Sequence, residues 1–340
     1  MDQQEIPISV VIPTCNRKAR LTSLLQQLNA SVYPFKEVIV VDSGEERLAE
    51  KEYSCYKNLH IHYLESEKSV CLQRNTGIQK AVSDWIFLCD DDIEVPVDYI
   101  SKLVAHIRSH KEAGAVSGIV LQKEGEEWTG KYPVTSAKSL VWNYFFQLGC
   151  WGEISCTGNN FLVKRIRAYY QKKGNHLSKA GWPVLVNFEG SFIMTPVYGL
   201  GASVVKKEWL LQSPYDEVLD RHGIGDNYGV AMGFPVTGIH VVTGAFVYHH
   251  QEPVNRLQRS LQYYRRTLAL GYFIKTKPAL KHIKLYRLAW SLTGNLLGFI
   301  KSGNRIMIKA AFKSIIKIVL NRNPYVVAHK KHRKVTEPVL

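Results

Sequence analysis

Three consecutive aspartates follow an apolar run, typical of a buried strand, in the segment IFLCDDDIEVP (86 to 96). Adjacent carboxylates repel each other, and burying them costs free energy unless a cation lies nearby. Alternate residues of an extended strand point to one side, so we expect Asp90 and Asp92 to face the same crevice. Mg²⁺ and Mn²⁺ take oxygen ligands and are commonly held by one or two carboxylates together with phosphates. The pattern predicts a divalent-metal site at these aspartates, with a solvated acidic turn as the alternative.

Two neighbouring histidines end another predicted strand, in the segment VVTGAFVYHHQEP (241 to 253). A neutral imidazole can complete a manganese site. Because neighbouring residues of a strand point to opposite faces, we expect only one of His249 and His250 to reach the metal. For each of them a structural role is the alternative.

The segments that must position these residues alternate between strand and helix patterns. Strand patterns cover 8–17, 37–46, 59–66 and 84–92, and helix patterns cover 20–31 and 69–82. This alternation predicts right-handed βαβ units and a mostly parallel sheet, whose ligands bind beyond the carboxyl ends of the strands. Pro13, Thr14, Asp42 and the three aspartates fall at those ends, so we expect them to converge on one crevice.

Four segments together resemble the nucleotide-sugar-binding half of family 2 glycosyltransferases, which have the GT-A fold. They read VVIPTCNR, VIVVDSG, LQRNTGI and IFLCDDD. The resemblance is clear over residues 8–125 and looser to about residue 270. It implies an α/β fold with a mostly parallel central sheet flanked by helices, a nucleoside diphosphate sugar as donor, and Mn²⁺ or Mg²⁺ as cofactor.

The resemblance also implies roles for individual residues. In that family the strand-end DxD motif holds the metal and the ribose, which makes Asp92 the metal ligand, helped by a histidine, and places Asp90 near the ribose. The donor-binding residues that it implies are Pro13, Thr14, Asp42, Arg74, Asn75, Asp90 and Asp91. A turn residue is the alternative for Asp42, and a helix-surface arginine is the alternative for Arg74.

A sugar transfer with inversion needs a general base that takes the proton from the acceptor hydroxyl. The resembled family supplies it from an acidic pair that heads a helix, and the corresponding pair here reads Asp226-Asn227. The resemblance implies Asp226 as the base if the family's base aligns with it and not with Asn227. A helix N-cap after Gly225 is the alternative role for Asp226. The other acids of this segment are interpreted as surface residues: Asp216, Glu217 and Asp220.

We divide the chain into three segments. Residues 1–125 are expected to form the donor-binding half, and residues 126–274 the acceptor and catalytic half of the same domain. Residues 275–340 are expected to form a basic, helical C-terminal extension.

The aromatic stretch 142–151 is interpreted as packing or as an acceptor-side lid. Basic residues of the predicted helix 256–266 could reach donor phosphates or a lipid-borne pyrophosphate, with a solvated helix face as the alternative.

The net charge of +15 is concentrated in the C-terminal extension. Residues 275–340 hold 15 Lys+Arg and one acid, a balance of +14, which leaves +1 for the rest of the chain. Basic residues recur every four positions from Arg305 to Lys317 within an apolar segment, and HKKHRK (329 to 334) adds further charge. A cationic stripe on an apolar helix is typical of binding to an anionic membrane surface. Packing on the domain is the alternative, and nucleic acid is not expected as a partner.

Three further features bear on the cellular location. The six cysteines are scattered without a CxxC pair, which is typical of reduced thiols in a cytoplasm. The N-terminal MDQQEIP is acidic and lacks the basic and apolar regions of a secretory signal. The apolar stretch within 282–303 is shorter than the ~20 residues that span a bilayer. We therefore expect a cytoplasmic protein bound peripherally to the inner face of the membrane.

These observations predict a metal-dependent, inverting glycosyltransferase that acts on a hydroxyl of a saccharide or a lipid-linked acceptor, in surface polysaccharide or glycolipid assembly. One alternative is a phosphatase with Asp90 as the nucleophile, although a Gly-Thr turn normally follows its DxD motif. The other is a degenerate, membrane-bound member that only binds its partner, because Asn227 replaces the second acid of the pair.

Overall fold

Strands and helices alternate through the first part of the chain, as the sequence pattern predicts. The computed structural model describes residues 5–158, 160–235, 238–251, 256–331 and 335. The first elements are β1 (Ile8–Thr14), α1 (Lys18–Asn29), β2 (Glu37–Asp42), α2 (Glu50–Tyr53), β3 (Ile61–Glu65), α3 (Val70–Lys80) and β4 (Trp85–Cys89). These four strands lie in the order β4-β1-β2-β3, and each neighbouring pair is parallel.

A second group of elements extends this sheet beyond β4. They are β5 (Ile93–Glu94), α4 (Tyr99–Ser109), β6 (Ala115–Glu124), β7 (Glu127–Thr129), α5 (Ala137–Phe146), β8 (Cys150–Trp151), α6 (Phe161–Lys173), β9 (His176–Leu177), β10 (Pro183–Leu185), β11 (Phe192–Thr195), β12 (Ala202–Lys206), α7 (Lys207–Gln212), α8 (Asp226–Ala231) and β13 (Ile239–His249). The order along the main sheet is β11-β13-β6-β12-β4-β1-β2-β3. Only β12 and β11 run against the other six strands of this order, so the sheet is mostly parallel, as predicted.

Both faces of the sheet are covered, which explains why its strands are apolar throughout. Val10 and Ile12 of β1 join one buried cluster, whereas Val11 between them joins the cluster on the opposite face. This alternation within a continuous apolar run is typical of buried parallel strands. Helix α3 approaches β1 closely at Gly77, where a Cβ would lie 2.4 Å from Val11 Cγ1.

Helix α3 also holds the carboxyl ends of two strands together. The side-chain amide of Gln73 donates hydrogen bonds to the carbonyl oxygens of Thr14 and Val41, both at 2.7 Å. These bonds satisfy buried backbone acceptors where β1 and β2 end. The strand ends, and the side chains that follow them, are therefore fixed relative to each other.

Four helices follow the last strand: α9 (Arg259–Thr276), α10 (Leu285–Lys301), α11 (Arg305–Val319) and α12 (Pro324–Lys330), with a short 3₁₀ helix at Pro278–Leu280. Thr267 of α9 donates a hydrogen bond to Ser314 of α11 at 2.7 Å, and Asn323 before α12 donates to the Leu268 carbonyl at 2.7 Å. The extension is thus helical, as expected. Residues 332–334 of the basic tail lie outside the described residues. Among the described residues, no helix combines the length and the apolar character that crossing a bilayer requires.

The interpretation of Asp220 as a surface acid is wrong. Its side chain is buried, and its two oxygens accept hydrogen bonds from Arg265 at 2.7 Å and from the Tyr325 hydroxyl at 2.5 Å. A buried carboxylate with a guanidinium and a hydroxyl beside it has its charge compensated. Because Arg265 belongs to α9 and Tyr325 to α12, Asp220 ties the C-terminal helices to the segment before α8.

Candidate active site at the strand ends

The three aspartates after β4 have different partners. Asp91 accepts hydrogen bonds from the Thr14 hydroxyl and from Arg17, each at 2.7 Å, and burial raises the pKa of Asp91 to about 6 although Arg17 opposes the rise. Asp92 Oδ2 lies 3.4 Å from Arg17 Nη1. Asp90 accepts a hydrogen bond from Arg74 at 2.5 Å. Arg17 and Arg74 therefore compensate part of the negative charge of the three aspartates. From the sequence alone, a metal ion and a diphosphate were expected to provide this compensation.

Arg74 also contacts the predicted base. Its second amino group donates to Asp226 Oδ2, and its guanidinium lies 5.0 Å from the centroid of the Tyr215 ring. Burial raises the pKa of Asp226 to about 6, and the charge of Arg74 opposes this rise. Asp90, predicted to bind the donor, and Asp226, the predicted base, therefore both contact the buried guanidinium of Arg74.

Glycines on both sides of this ion pair permit the close packing. A Cβ at Gly201 would lie 2.1 Å from Asp90 Oδ2. Gly225 has φ +95° and occupies the N-cap position of α8, so Asp226 is the first helical residue and not the cap. Asp226 Oδ1 accepts a hydrogen bond from the Asn227 backbone N–H at 2.6 Å.

The two histidines at the end of β13 have separate surroundings. His249 Nε2 lies 3.3 Å from Asp92 Oδ1. His250 Nε2 lies 2.8 Å from Glu94 Oε2, and its ring packs on Trp128 with centroids 5.4 Å apart. His249 therefore faces the strand-end acids, and His250 contacts Glu94 and Trp128 on the opposite side of β13.

A cavity of about 320 Å³, here called the donor cavity, opens at these strand ends. Of the residues implied by the resemblance, it contains Pro13, Thr14, Arg74, Asp90, Asp91, Asp92 and His249. Within the described residues its wall also carries Arg17, Lys68 and Arg221, which sequence reasoning did not assign to the site. It carries Arg256 and Arg266 as well, both within the predicted helix 256–266 whose basic residues could reach donor phosphates. The six Lys and Arg side chains exceed the three aspartates by three positive charges, which favours an anionic ligand.

Asp42 and Asn75 lie away from the wall of the donor cavity. Asp42 accepts hydrogen bonds from the Gly44 backbone N–H at 2.7 Å and from the Tyr63 hydroxyl. Asn75 bonds in both directions with the Tyr215 backbone at 3.0 Å and donates to Glu217. In the structure Asp42 shapes the turn after β2, and Asn75 positions the segment that carries Tyr215.

Two further cavities adjoin the donor cavity. The middle cavity, about 370 Å³, shares Asp90, His249 and Arg266 with it. The aromatic cavity, about 480 Å³, shares Trp151, Tyr198, Gly199, Asn227 and Arg266 with the middle cavity, and Asp226 lies on its wall. A separate cavity of about 630 Å³ beside β11 contains none of the predicted site residues. These three adjacent cavities lie between the strand-end acids and Asp226.

The residues present fit a divalent metal that shares its coordination with a ligand. Among the described residues no cluster of three or more His, Cys, Asp or Glu side chains has the spacing of a complete metal site. Asp92 and His249 lie together on the wall of the donor cavity. Mg²⁺ in particular is usually held by one or two carboxylates plus substrate phosphates, so a site built on Asp92 and His249 would need the phosphates of a ligand to complete it.

The sheet order and flanking helices define the GT-A fold, an α/β architecture with its site at the strand ends. Residues 9–166, slightly less than half of the chain, match the family model described as "Glycosyl transferase family 2". The resemblance seen in the sequence is thereby confirmed for the fold and, over these residues, for the family.

Two curated relatives share part of the chain. An uncharacterized glycosyltransferase, YwdF of Bacillus subtilis (strain 168), is 33% identical over 135 residues, which are 38% of this chain and 47% of the relative. An uncharacterized glycosyltransferase of Haemophilus influenzae is 32% identical over 87 residues, 25% of this chain and 29% of the relative. The chain therefore spans less than half the length of each of these relatives.

Solved structures resemble the chain over most of its length. TarS 1–349 of S. aureus superposes with a TM-score of 0.53 at 15% identity, covering 94% of this chain and 83% of TarS. TarS in complex with UDP-GlcNAc gives 0.54 at 12% identity, covering 98% and 94%. The mannosyltransferase PcManGT of Pyrobaculum calidifontis, in complex with GDP-Man and Mn²⁺, gives 0.51 at 14% identity, covering 94% and 89%. At these identities the likeness shows a common fold.

Proposed function

We propose that the protein is a metal-dependent, inverting glycosyltransferase that moves a sugar from a nucleoside diphosphate sugar to an acceptor hydroxyl. The observation that carries the proposal is the buried Asp90–Arg74–Asp226 bridge, which spans the cavities between the strand-end acids and the candidate base. The family-model match over residues 9–166 supports the reaction class. The neighbours in complex with UDP-GlcNAc and with GDP-Man and Mn²⁺ support the donor class and the metal.

The donor cavity suits a nucleoside diphosphate. It lies at the carboxyl ends of parallel strands, where α/β sheets bind their ligands. Its excess of positive charge matches a diphosphate, and arginine binds phosphate oxygens bidentately. Arg256 lowers the net negative charge near Asp92, and burial lowers the pKa of this arginine, so an anion nearby would stabilise its charged form. Pro13 and Thr14 would then contact the nucleoside.

Asp92 and His249 would hold Mn²⁺ or Mg²⁺ together with the donor phosphates. When bound, the metal supplies positive charge that stabilises the leaving diphosphate. Arg17, which lies 2.7 Å from an Asp91 oxygen and 3.4 Å from an Asp92 oxygen, orients these two carboxylates.

Asp226 would act as the general base. The acceptor oxygen forms a bond to the anomeric carbon, the bond from that carbon to the diphosphate oxygen breaks, and the acceptor proton passes to the Asp226 carboxylate. With a pKa of about 6 this carboxyl is mostly ionised at pH 7, yet it is basic enough to accept a proton. Arg74 holds the carboxylate in place at the wall of the aromatic cavity. The acceptor would be a saccharide or a lipid-linked saccharide in surface polysaccharide or glycolipid assembly.

We also propose that the C-terminal helices bind an anionic membrane surface. The side of α11 that packs on the domain carries the small buried residues Ala310, Ala311 and Ser314. Large apolar residues of the same helix point outwards, with Phe312 55% and Val319 61% exposed. Helix α11 buries one side, which also includes Ile318, and exposes large apolar residues beside lysines on the other, which matches a surface-bound amphipathic helix.

Donor hydrolysis with Mn²⁺ tests the catalytic proposal. The purified protein should slowly hydrolyse one member of a panel of UDP-, GDP-, dTDP- and CMP-sugars, and Asp92→Ala should remove that activity and weaken Mn²⁺ binding measured by calorimetry. Asp98→Asn, an exposed acid at the start of α4, is the matched control and should change neither. Unchanged hydrolysis and unchanged Mn²⁺ binding in Asp92→Ala would refute the metal assignment.

A further inference from the structure

Arg266 of α9 lies where the donor, middle and aromatic cavities meet, and its side chain lines all three. In the part of the chain that the structure describes, Arg266 has no hydrogen-bond or ion-pair partner. Its neighbour Arg265 pairs with Asp220, and Arg74 pairs with two aspartates. Arg266 thus differs from these arginines in presenting an uncompensated charge to the cavities.

The Arg266 guanidinium is accessible to a ligand that enters the cavities. Its side chain is exposed to solvent where the cavities meet, although the surrounding protein atoms lower the pKa of the guanidinium by desolvation. A guanidinium presents its donors in a planar fork that matches the oxygens of a phosphate. Arg266, exposed and without a partner among the described residues, is therefore available to a phosphate brought by a ligand.

The aromatic cavity indicates which ligand that is. Within the described residues Asp226 and Arg266 are its two charged residues, and its remaining wall is largely aromatic or apolar, including Trp182, Tyr228 and Phe273. Such a wall with a few polar groups is typical of a small-molecule site. A molecule that places a hydroxyl at Asp226 has Arg266 as the other charged group within the same cavity.

The donor phosphates have other partners. The donor cavity carries five basic residues besides Arg266, of which Arg17, Arg74 and Arg256 lie among the strand-end acids. The aromatic cavity has none of these five on its wall. The binding of an anion in the aromatic cavity would therefore depend on Arg266, whereas the donor phosphates have other basic residues to bind them.

The aromatic cavity is also close to the apolar outer surface of α10. Trp182 on the cavity wall donates a hydrogen bond from Nε1 to Ser291 of α10 at 2.9 Å. The preceding residue of that helix, Trp290, is exposed and packs on Phe145 with ring centroids 5.2 Å apart. The cavity wall thus contacts a C-terminal helix that exposes large apolar residues, which favours a phosphate that comes from a lipid-linked molecule.

We propose that the aromatic cavity is the acceptor site and that Arg266 binds a phosphate group on the acceptor. The acceptor class is a phosphorylated saccharide, either lipid-borne or free. The inference rests on the proposed glycosyl transfer for its use of Asp226, but the binding of a phosphorylated sugar at Arg266 can be measured without catalysis.

The fluorescence of Trp151 and Trp182, which line the aromatic cavity, reports binding there. The full chain is first saturated with UDP and Mn²⁺ and then titrated with glucose 1-phosphate, with glucose as the neutral control. We expect glucose 1-phosphate to bind and Arg266→Gln to weaken it about tenfold or more, a loss of about 1.4 kcal/mol. Arg266→Lys should lose less, and Arg259→Gln, an exposed arginine of the same helix outside the three cavities, should lose nothing.

Other outcomes would overturn the inference. They are equal binding of glucose and glucose 1-phosphate, no binding of glucose 1-phosphate to the wild-type protein, or an Arg266→Gln variant that loses UDP affinity while it keeps glucose 1-phosphate affinity. If the wild-type protein binds none of UDP, GDP and dTDP, the proposed donor class is wrong, and the same titration without a nucleotide still tests Arg266. Phosphatidylcholine vesicles carrying a polyprenyl diphosphate replace glucose 1-phosphate in a second arm, and tighter binding there assigns the phosphate to a lipid.

Discussion

Arg74 and Asp226 form a buried ion pair although they are 152 positions apart in the chain. The same guanidinium holds Asp90, so α3, the end of β4 and the start of α8 meet at one side chain. Breaking a buried ion pair by removing one partner costs about 3–5 kcal/mol, because the other charge stays buried without compensation. The arrangement therefore links the stability of this region to the charge state of the proposed base.

Arg74→Gln should lower sugar transfer at pH 7 by roughly a hundredfold, the range in which a general base contributes. Without Arg74 the pKa of Asp226 rises further, so less of the carboxyl is ionised and able to accept a proton. The measurement is kcat together with thermal denaturation, which we expect to show a lower Tm. Arg47→Gln removes an exposed arginine paired with Glu65 and should change neither quantity. Full activity in Arg74→Gln would show that the bridge has no catalytic role.

The activity should depend on pH with a midpoint near 6 on its acid side. Burial raises the pKa of Asp226 to about 6, above its ordinary value, and the base works only when ionised. Activity therefore rises as the pH increases through 6. The contribution of Asp226 to stability falls as the pH rises through 6, whereas the activity rises. The reason is that the folded state binds the Asp226 proton more tightly than the unfolded chain does, and this stabilisation is lost once the proton dissociates.

The Asp226→Asn variant distinguishes the titration of Asp226 from that of other groups that could cause the same pH dependence of activity. The variant should lose most of its activity, and its residual rate should no longer rise through pH 6. A wild-type rate that is independent of pH between 5 and 7, or a residual rate with an unchanged midpoint, would exclude Asp226 as the base.

Gly201→Ala should reduce activity by displacing Asp90. A Cβ at this position would lie 2.1 Å from Asp90 Oδ2, and Gly201 also accepts the Asp90 backbone N–H at 2.8 Å, so the carboxylate has to move off Arg74. We expect at least a tenfold fall in kcat/KM for the donor, measured at constant Mn²⁺. Gly244→Ala is the matched control, because a Cβ there meets nothing within 4 Å. Equal losses in both variants would argue against a specific role of the Gly201–Asp90 contact.

Acid should destabilise the protein through a buried histidine pair between α4 and β13. His106 Nε2 lies 2.9 Å from His240 Nδ1, and the His106 ring stacks on His110 at 4.1 Å. Burial lowers the pKa of His106 to about 4, helped by the charges of His110 and His240 and opposed by Glu112. The unfolded chain thus binds a proton between pH 6.5 and 4 that the folded protein does not, and stability falls by up to about 3 kcal/mol as the pH is lowered through this window.

Denaturant titrations at several pH values measure this dependence. His106→Asn should flatten the loss of stability between pH 6.5 and 4, whereas His60→Asn, which removes an exposed imidazole, should keep the wild-type slope. An unchanged slope in His106→Asn would assign the acid sensitivity to other groups.

The sequence predicted the parts of the site that are local. Apolar runs followed by polar residues located Thr14 and the three aspartates at strand ends, and alternation along β13 predicted that His249 and His250 face opposite ways. The partners of these residues were not predictable, because Arg74 and Asp226 are far apart in the sequence and meet only in the folded chain. The burial of Asp220 was missed for the same reason, since its counter-charges come from helices that follow much later in the chain.

Vesicle binding should depend on both the apolar and the basic side chains of α11. In sedimentation with phosphatidylcholine–phosphatidylglycerol vesicles, Lys309→Gln combined with Lys313→Gln should weaken binding roughly thirtyfold, since each lysine near an anionic surface contributes about 1 kcal/mol. Phe312→Ser should weaken binding to anionic and to neutral vesicles alike, because it removes apolar area from the contact.

Salt and a distant lysine pair provide the controls for this experiment. Raising the ionic strength should weaken wild-type binding and leave the doubly substituted protein little changed, because the electrostatic part has already been removed. Lys51→Gln combined with Lys57→Gln removes the same charge from the exposed surface near β3 and should have no effect. If the two lysine pairs weaken binding equally, the attraction comes from overall net charge and α11 is not the membrane-binding element.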